Sequence, residues 1–101
     1  MKKIECVIQP DKVAIVEQAL RDEGIGGMTV SEVKGFGRQR MRVTSKVKLE
    51  IYALEAELEW VIKAITRSAY SGKVGDGKIA VLPMEDAIRI RTQEHGAKAL
   101  L

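Results

Sequence analysis

The hydrophobic period of this chain switches from two residues to about 3.6 and back again, twice, and that order limits the folds open to it. Residues 2–9 alternate, with Ile4, Cys6 and Ile8 on one side and Lys3, Glu5 and Val7 on the other, the pattern of a strand with one buried face. Pro10 and Asp11 stop the strand and start a helix over residues 12–23. There Val13, Val16 and Leu20 recur at helical spacing, Ile15 and Ala19 widen the stripe, and Gly24 stands where a left-handed C-cap is wanted. MTVSEVKG, residues 28–35, predicts a second strand, and the alternation of Met41, Val43, Val47, Leu49 and Ile51 predicts a third, closed by Tyr52 and Ala53. Leu54, Leu58, Val61, Ile62, Ile65 and Ala69 form a second helical stripe that ends at Ser71 and Gly72. KIAVLP, residues 78–83, predicts a last strand, followed by a helical turn over 84–87, an extended IRIRT, and a tail over 93–101 with no evident place.

Strand, helix, strand, strand, helix, strand is the split βαβ order of a ferredoxin-like α+β sandwich, an antiparallel sheet with both helices on one face. With 101 residues and 46% hydrophobic content, the chain suits one domain over residues 1–101.

Several function classes lose support from composition. No apolar run approaches the roughly eighteen residues of a membrane helix, so no membrane insertion is expected and a cytoplasmic location is. The single cysteine, Cys6, falls in an alternating apolar position and reads as core. His95 is the only histidine, and Cys6, His95 and four methionines form no ligand spacing for a metal. The net charge of +3 comes from 17 basic and 14 acidic residues that are interspersed, and with 4% aromatics there is little on which to stack bases. No nucleic-acid partner is expected. Trp60 reads as a packing or interface residue.

Three stretches suit anions. SGKVGDGK, residues 71–78, places three glycines and two lysines at a helix-to-strand junction, where main-chain N–H groups can turn inward and lysine adds a compact charge. Its spacing is not that of a Walker loop, and a plain turn explains it equally well. IRIRT carries Arg89 and Arg91 two residues apart; in extended chain both guanidiniums leave one side, suited either to phosphate or to guarding an edge strand. GFGRQ brings two glycines, Arg38 and the Gln39 amide together, as an anion-facing loop or an ordinary glycine turn.

MKKIE, GMTVSEVKGFGRQ, GKVGDGKIAVLP and EDAIRIRT, in this order and spanning residues 1–92, resemble the PII nitrogen-regulatory signalling family. The resemblance implies a ferredoxin-like subunit in a compact homotrimer, with ATP or ADP as bound effector in clefts between neighbouring subunits. Carried over by matching position, Gly75, Asp76, Gly77 and Lys78 hold the phosphates from one side, Arg89 and Arg91 close on them from the neighbouring subunit, and Arg38 joins them. Thr29 and the backbone at Tyr52 fix the adenine, and Val7, Gly35, Phe36 and Gly37 line the cleft. Tyr52 stands where the family has a small aliphatic residue.

The resemblance also implies a 2-oxoglutarate site beside ATP and Mg²⁺, with Gln39 on the metal and Lys46 on the effector's distal carboxylate. It divides the domain into a short signalling T-loop remnant at about 37–46, a B-loop at 71–78 and a C-terminal loop at 89–101. Family members carry a longer T-loop with a tyrosine that some bacteria uridylylate; here Arg40 leads directly into MRVTSKVKLE, and no matching tyrosine is present. Output to a regulated partner, such as an ammonium transporter or a nitrogen-metabolism enzyme, is expected to be altered or absent with so short a loop. A non-enzymatic regulator is the expectation. A slow ATPase or an acylphosphatase-like enzyme on the same fold is the alternative, though no nucleophile with an adjacent base is visible.

Overall fold

The structure is a computed structural model, and it describes residues 1–39 and 41–101. Strand β1 (Lys2–Ile8) leads through a 3₁₀ turn (Pro10–Lys12) into helix α1 (Val13–Asp22). Strands β2 (Thr29–Gly35) and β3 (Thr44–Ala53) follow, then a 3₁₀ turn (Glu55–Glu57), helix α2 (Leu58–Ala69), strand β4 (Gly77–Pro83) and a last 3₁₀ helix (Gly96–Leu100). The four strands form one sheet in the order β2-β3-β1-β4, with every neighbouring pair antiparallel. This is the ferredoxin-like α+β sandwich that the periodicity predicts.

Register decides which residues share a face. Ile4 lies opposite Ile51 and Val81, Cys6 opposite Leu49 and Ile79, and Ile8 opposite Val47. Ile4, Cys6, Ile8, Val47, Leu49 and Ile51 make up the buried core together with Ile25, Ala53, Val16 and Leu20 of α1 and Val61, Ile65 and Ala69 of α2, while Ile79 is partly buried against it and Val81 is 41% exposed. Each fully buried isoleucine or leucine contributes about 1.5–3 kcal/mol relative to exposure, so a slip of one position in β1 or β3 would expose the set and is strongly disfavoured.

The end of α1 is fixed by a Schellman motif. Gly24 takes φ 82°, its N–H reaches the carbonyl of Arg21 at 3.0 Å, and the N–H of Ile25 reaches that of Leu20 at 3.0 Å. Ile25 is buried behind the cap.

Six local expectations need correction. Ile15 is 53% exposed: the stripe of α1 that packs inward is narrower than its apolar pattern. Strand β2 begins at Thr29 rather than Met28, and β3 begins at Thr44 rather than Met41, because β2 ends at Gly35 opposite Thr44 and leaves Met41 and Val43 without a pairing strand. Residues 84–87 form no helical turn: Met84 continues toward β1 by donating to the carbonyl of Met1 at 3.2 Å, and Asp86 bonds the next main-chain N–H, that of Ala87, at 2.8 Å. IRIRT is not extended. Ile88 makes a single bridge to His95, and the chain reverses between them, so Arg89 and Arg91 do not leave one strand face together. The tail accordingly does have a place, folded back on residues 86–89.

Candidate functional site

The outer face of the sheet, away from the helices, carries a group of charges among apolar neighbours such as Tyr52 and Leu82. Near its centre Lys3 reaches Glu5 at 3.0 Å and Glu50 at 3.1 Å, and Lys48 lies 3.8 Å and 3.6 Å from the same two carboxylates. Donation to Glu5 is the main cause that raises the Lys3 pKa, and the hydrogen bond that Glu50 accepts from Lys3 is the main cause that lowers that of Glu50. Lys48 is thus held in a ladder of alternating charge that continues into a cleft.

The cleft, of about 720 Å³, opens where three chain reversals meet at one end of that face. Its walls are the ends of β1 and β2, the start of β3, the loop after Gly35, and the segment from Val74 into β4. Val7 lies between Lys48 on β3 and Lys78 on β4 in the register, which sets those two lysines about 10 Å apart across it. Lys34, Arg38 and Lys46 add cations, Gln39 adds an amide, and no acidic side chain lines the cleft among the described residues. Val7, Gly35, Phe36, Gly37, Arg38, Gln39, Lys46, Gly75, Gly77 and Lys78, all singled out from the sequence, converge here. Arg40 lies outside the described residues, and residues 44–46 of the expected loop remnant belong to β3.

The loop over residues 70–76 is held in two ways. One Asp76 oxygen accepts the N–H groups of Ser71 at 2.9 Å and Gly72 at 3.0 Å, and the other accepts the Ser71 hydroxyl. That hydroxyl is the first cause of a lowered Asp76 pKa. The Gly75 carbonyl accepts two long-range bonds, from Gln9 Nε2 at 2.9 Å and from Lys46 Nζ at 2.7 Å. Asp76 therefore spends its side chain on its own loop, and it is not among the residues lining the cleft.

Gly77 admits no side chain. Its φ is 110°, and a Cβ would stand 1.8 Å from the carbonyl oxygen of Val7. The missing side chain lets β4 close on β1 beneath the cleft.

Besides Asp76, four of the expected site residues lie away from the cleft. Thr29, at the start of β2, pairs with Glu50, two positions before Tyr52, so both lie toward the end of the β2–β3 pair away from the cleft. Tyr52 lies six positions beyond Lys46, about 20 Å of strand. Tyr52 is 54% exposed. Arg89 and Arg91 belong to the reversal beyond β4, where Arg91 is exposed and Arg89 bonds Glu94 at 3.0 Å.

Sequence reasoning missed Lys34, Lys48 and Gln9. Lys48 was findable by the argument applied to Arg89 and Arg91, since Lys46 and Lys48 sit two apart in extended chain; Gln9 carries no local signal, because its partner is 66 residues away.

The sequence profile described as "Nitrogen regulatory protein P-II" matches residues 1–94. The proteins named nitrogen regulatory protein P-II from Azospirillum brasilense, Rhodospirillum rubrum and Bradyrhizobium diazoefficiens are 43%, 44% and 45% identical to this chain over 112 aligned positions. Each alignment covers 99% of this chain and 100% of the relative. By both comparisons, and with the sheet order and helix placement described above, this chain belongs to the P-II nitrogen regulatory protein family.

Proposed function

We propose that the chain is a regulatory nucleotide-binding protein that takes ATP or ADP in its cationic cleft and assembles as a homotrimer, the cleft being completed by a neighbouring subunit. The observation that carries this reading is the convergence of Lys34, Arg38, Lys46, Lys48 and Lys78 from separate elements on one cleft without an acidic lining residue. Such a set favours a polyanion, since lysine and arginine together neutralise several phosphate oxygens.

The separation along β3 supports a composite site. A single nucleotide cannot reach both Lys46 and Tyr52 of one chain across about 20 Å while keeping its phosphates among the lysines. A second copy that presents its own Thr29, Tyr52, Arg89 and Arg91 to the cleft of the first removes the conflict. The polar ladder of Lys3, Glu5, Lys48 and Glu50 lies on the face between the two ends.

Mg²⁺ fits only together with nucleotide. Gln39 lines the cleft and offers one uncharged oxygen, and no group of three acidic, histidine or cysteine side chains suited to a metal exists among the described residues. Mg²⁺ keeps several waters and binds through few protein oxygens plus phosphates, where it would neutralise phosphate charge. Lys46 offers its ammonium to a 2-oxoglutarate carboxylate, in exchange for the Gly75 carbonyl it now holds. Effector binding would then loosen the 70–76 loop, and differential affinity for the two loop states would set the signal. A partner protein would meet this through the exposed Phe36, Met41 and Val43 between β2 and β3.

Titration calorimetry with ATP and ADP, with and without Mg²⁺ and 2-oxoglutarate, tests the reading. Saturable binding at micromolar to millimolar nucleotide is expected; no heat at millimolar nucleotide overturns it. Phosphate release at a steady catalytic rate would favour the enzymatic alternative instead.

A further inference from the structure

The folded-back segment beyond β4 is built around Arg89. Its main-chain N–H donates to the Glu94 carbonyl at 2.9 Å, and its carbonyl accepts the N–H of Gln93 at 2.7 Å. Its side chain repeats the contact: Nη1 meets Glu94 Oε1 at 3.0 Å, while Nη2 donates to the main-chain oxygens of Ala99, at 3.4 Å, and Leu101. A second clasp lies behind it. The Asp86 carboxylate accepts the N–H of Gly96 at 3.1 Å and meets His95 Nδ1 at 2.8 Å, and Gly96 N–H also reaches the Ala87 carbonyl at 2.9 Å.

We propose that Glu94 competes with nucleotide phosphate for the guanidinium of Arg89, so that phosphate capture by Arg89 and release of residues 93–101 are one event. The inference rests on the nucleotide-binding reading above. A carboxylate offers the same planar pair of acceptor oxygens that a guanidinium takes from phosphate, and one fork cannot serve both fully. The Arg89 and Glu94 side chains are 29% and 39% exposed, so the pair is partly screened and weak enough for a phosphate dianion to displace. Arg91, two residues on, is exposed in the reversal. Straightening the stretch would put Arg89 and Arg91 on one side of an extended chain, and it breaks the two main-chain bonds that Arg89 makes with Gln93 and Glu94. Glu94 thereby sets the nucleotide affinity of the site and couples it to the position of the last residues.

The test is an ATP titration of the full chain, of Glu94→Gln, of Arg89→Ala and of the double variant, with hydrogen exchange of the wild type with and without ATP. Glu94→Gln is expected to bind about two- to fivefold more tightly, the range for releasing a partly exposed ion pair. The gain should vanish when Arg89 is alanine, and ATP should speed exchange at the Gln93 and Gly96 amides. ATP bound by Glu94→Gln but not by the wild type also supports the competition. Equal or weaker binding by Glu94→Gln, while the wild type binds, overturns the competition and leaves the nucleotide reading intact. A gain that survives Arg89→Ala, or exchange at Gln93 and Gly96 that ATP leaves unchanged, overturns it as well. Absence of binding in both wild type and Glu94→Gln removes the nucleotide reading and the competition together.

Discussion

Lys46 Nζ donates to the carbonyl of Gly75 across 2.7 Å, tying β3 to the loop that turns into β4. A residue on the cleft floor thus determines the position of a loop on the cleft wall. Lys46→Met keeps the length of the side chain and removes the bond. It is expected to cost about 1.5–3 kcal/mol of stability, the range for a hydrogen bond to a charged group. Thermal denaturation reads that loss, and a melting temperature equal to wild type would show that the Lys46 bond adds nothing to the hold that Gln9 and Asp76 already give the loop.

Gly77→Ala is expected to be more damaging than its size suggests. The added Cβ meets the Val7 carbonyl oxygen at 1.8 Å in a backbone with φ 110°, so β4 must separate from β1 or the main chain must rotate. A loss of about 3 kcal/mol is expected from strain and overpacking together. Gly26→Ala, whose Cβ meets nothing within 4 Å, is the control that should stay near wild type in a denaturant midpoint.

Acid should open the 70–76 loop before the core yields. The Ser71 hydroxyl and the Ser71 and Gly72 amides hold the Asp76 pKa below its ordinary value of 3.8. A carboxyl depressed on folding contributes stability that is fully present above its unfolded pKa and is lost as pH falls through the folded one. The amide signals of Ser71 and Gly72 should therefore titrate together below pH 3.8 in an NMR series. Asp76→Asn should abolish that titration; its persistence would assign the transition to another group.

The core and the order of elements were legible because burial is one-sided in β1 and β3. Ile4, Cys6, Ile8, Val47, Leu49 and Ile51 alternate without a break, and all are buried. Met41 and Val43 continue the same alternation with no strand opposite them, and pattern alone cannot report a missing neighbour. IRIRT misled for a related reason. An alternating pentapeptide suits an edge strand, but the contacts of Arg89 with Glu94 and of Asp86 with His95 and Gly96 fold it back. The glycines of the cleft and Lys78 could be read from the local sequence and Lys46 from the family resemblance, whereas Lys34 and Lys48 went unread, and the register that sets Lys48 and Lys78 on either side of Val7 required the sheet.

The central claim is that one nucleotide site is shared between two copies of the chain, with Lys78 from one and Arg89 from the other. Each of Lys78→Ala and Arg89→Ala alone is expected to weaken ATP binding by about 1.5–3 kcal/mol, the range for hydrogen bonds to charged groups. The direct measurement is ATP affinity after the two variants are unfolded, mixed in equal amounts and refolded together. The mixture should regain a fraction of sites with wild-type affinity, because some clefts then pair an intact Lys78 with an intact Arg89. A mixture that binds no better than the separate variants, while each variant retains its fold, would contradict the shared site.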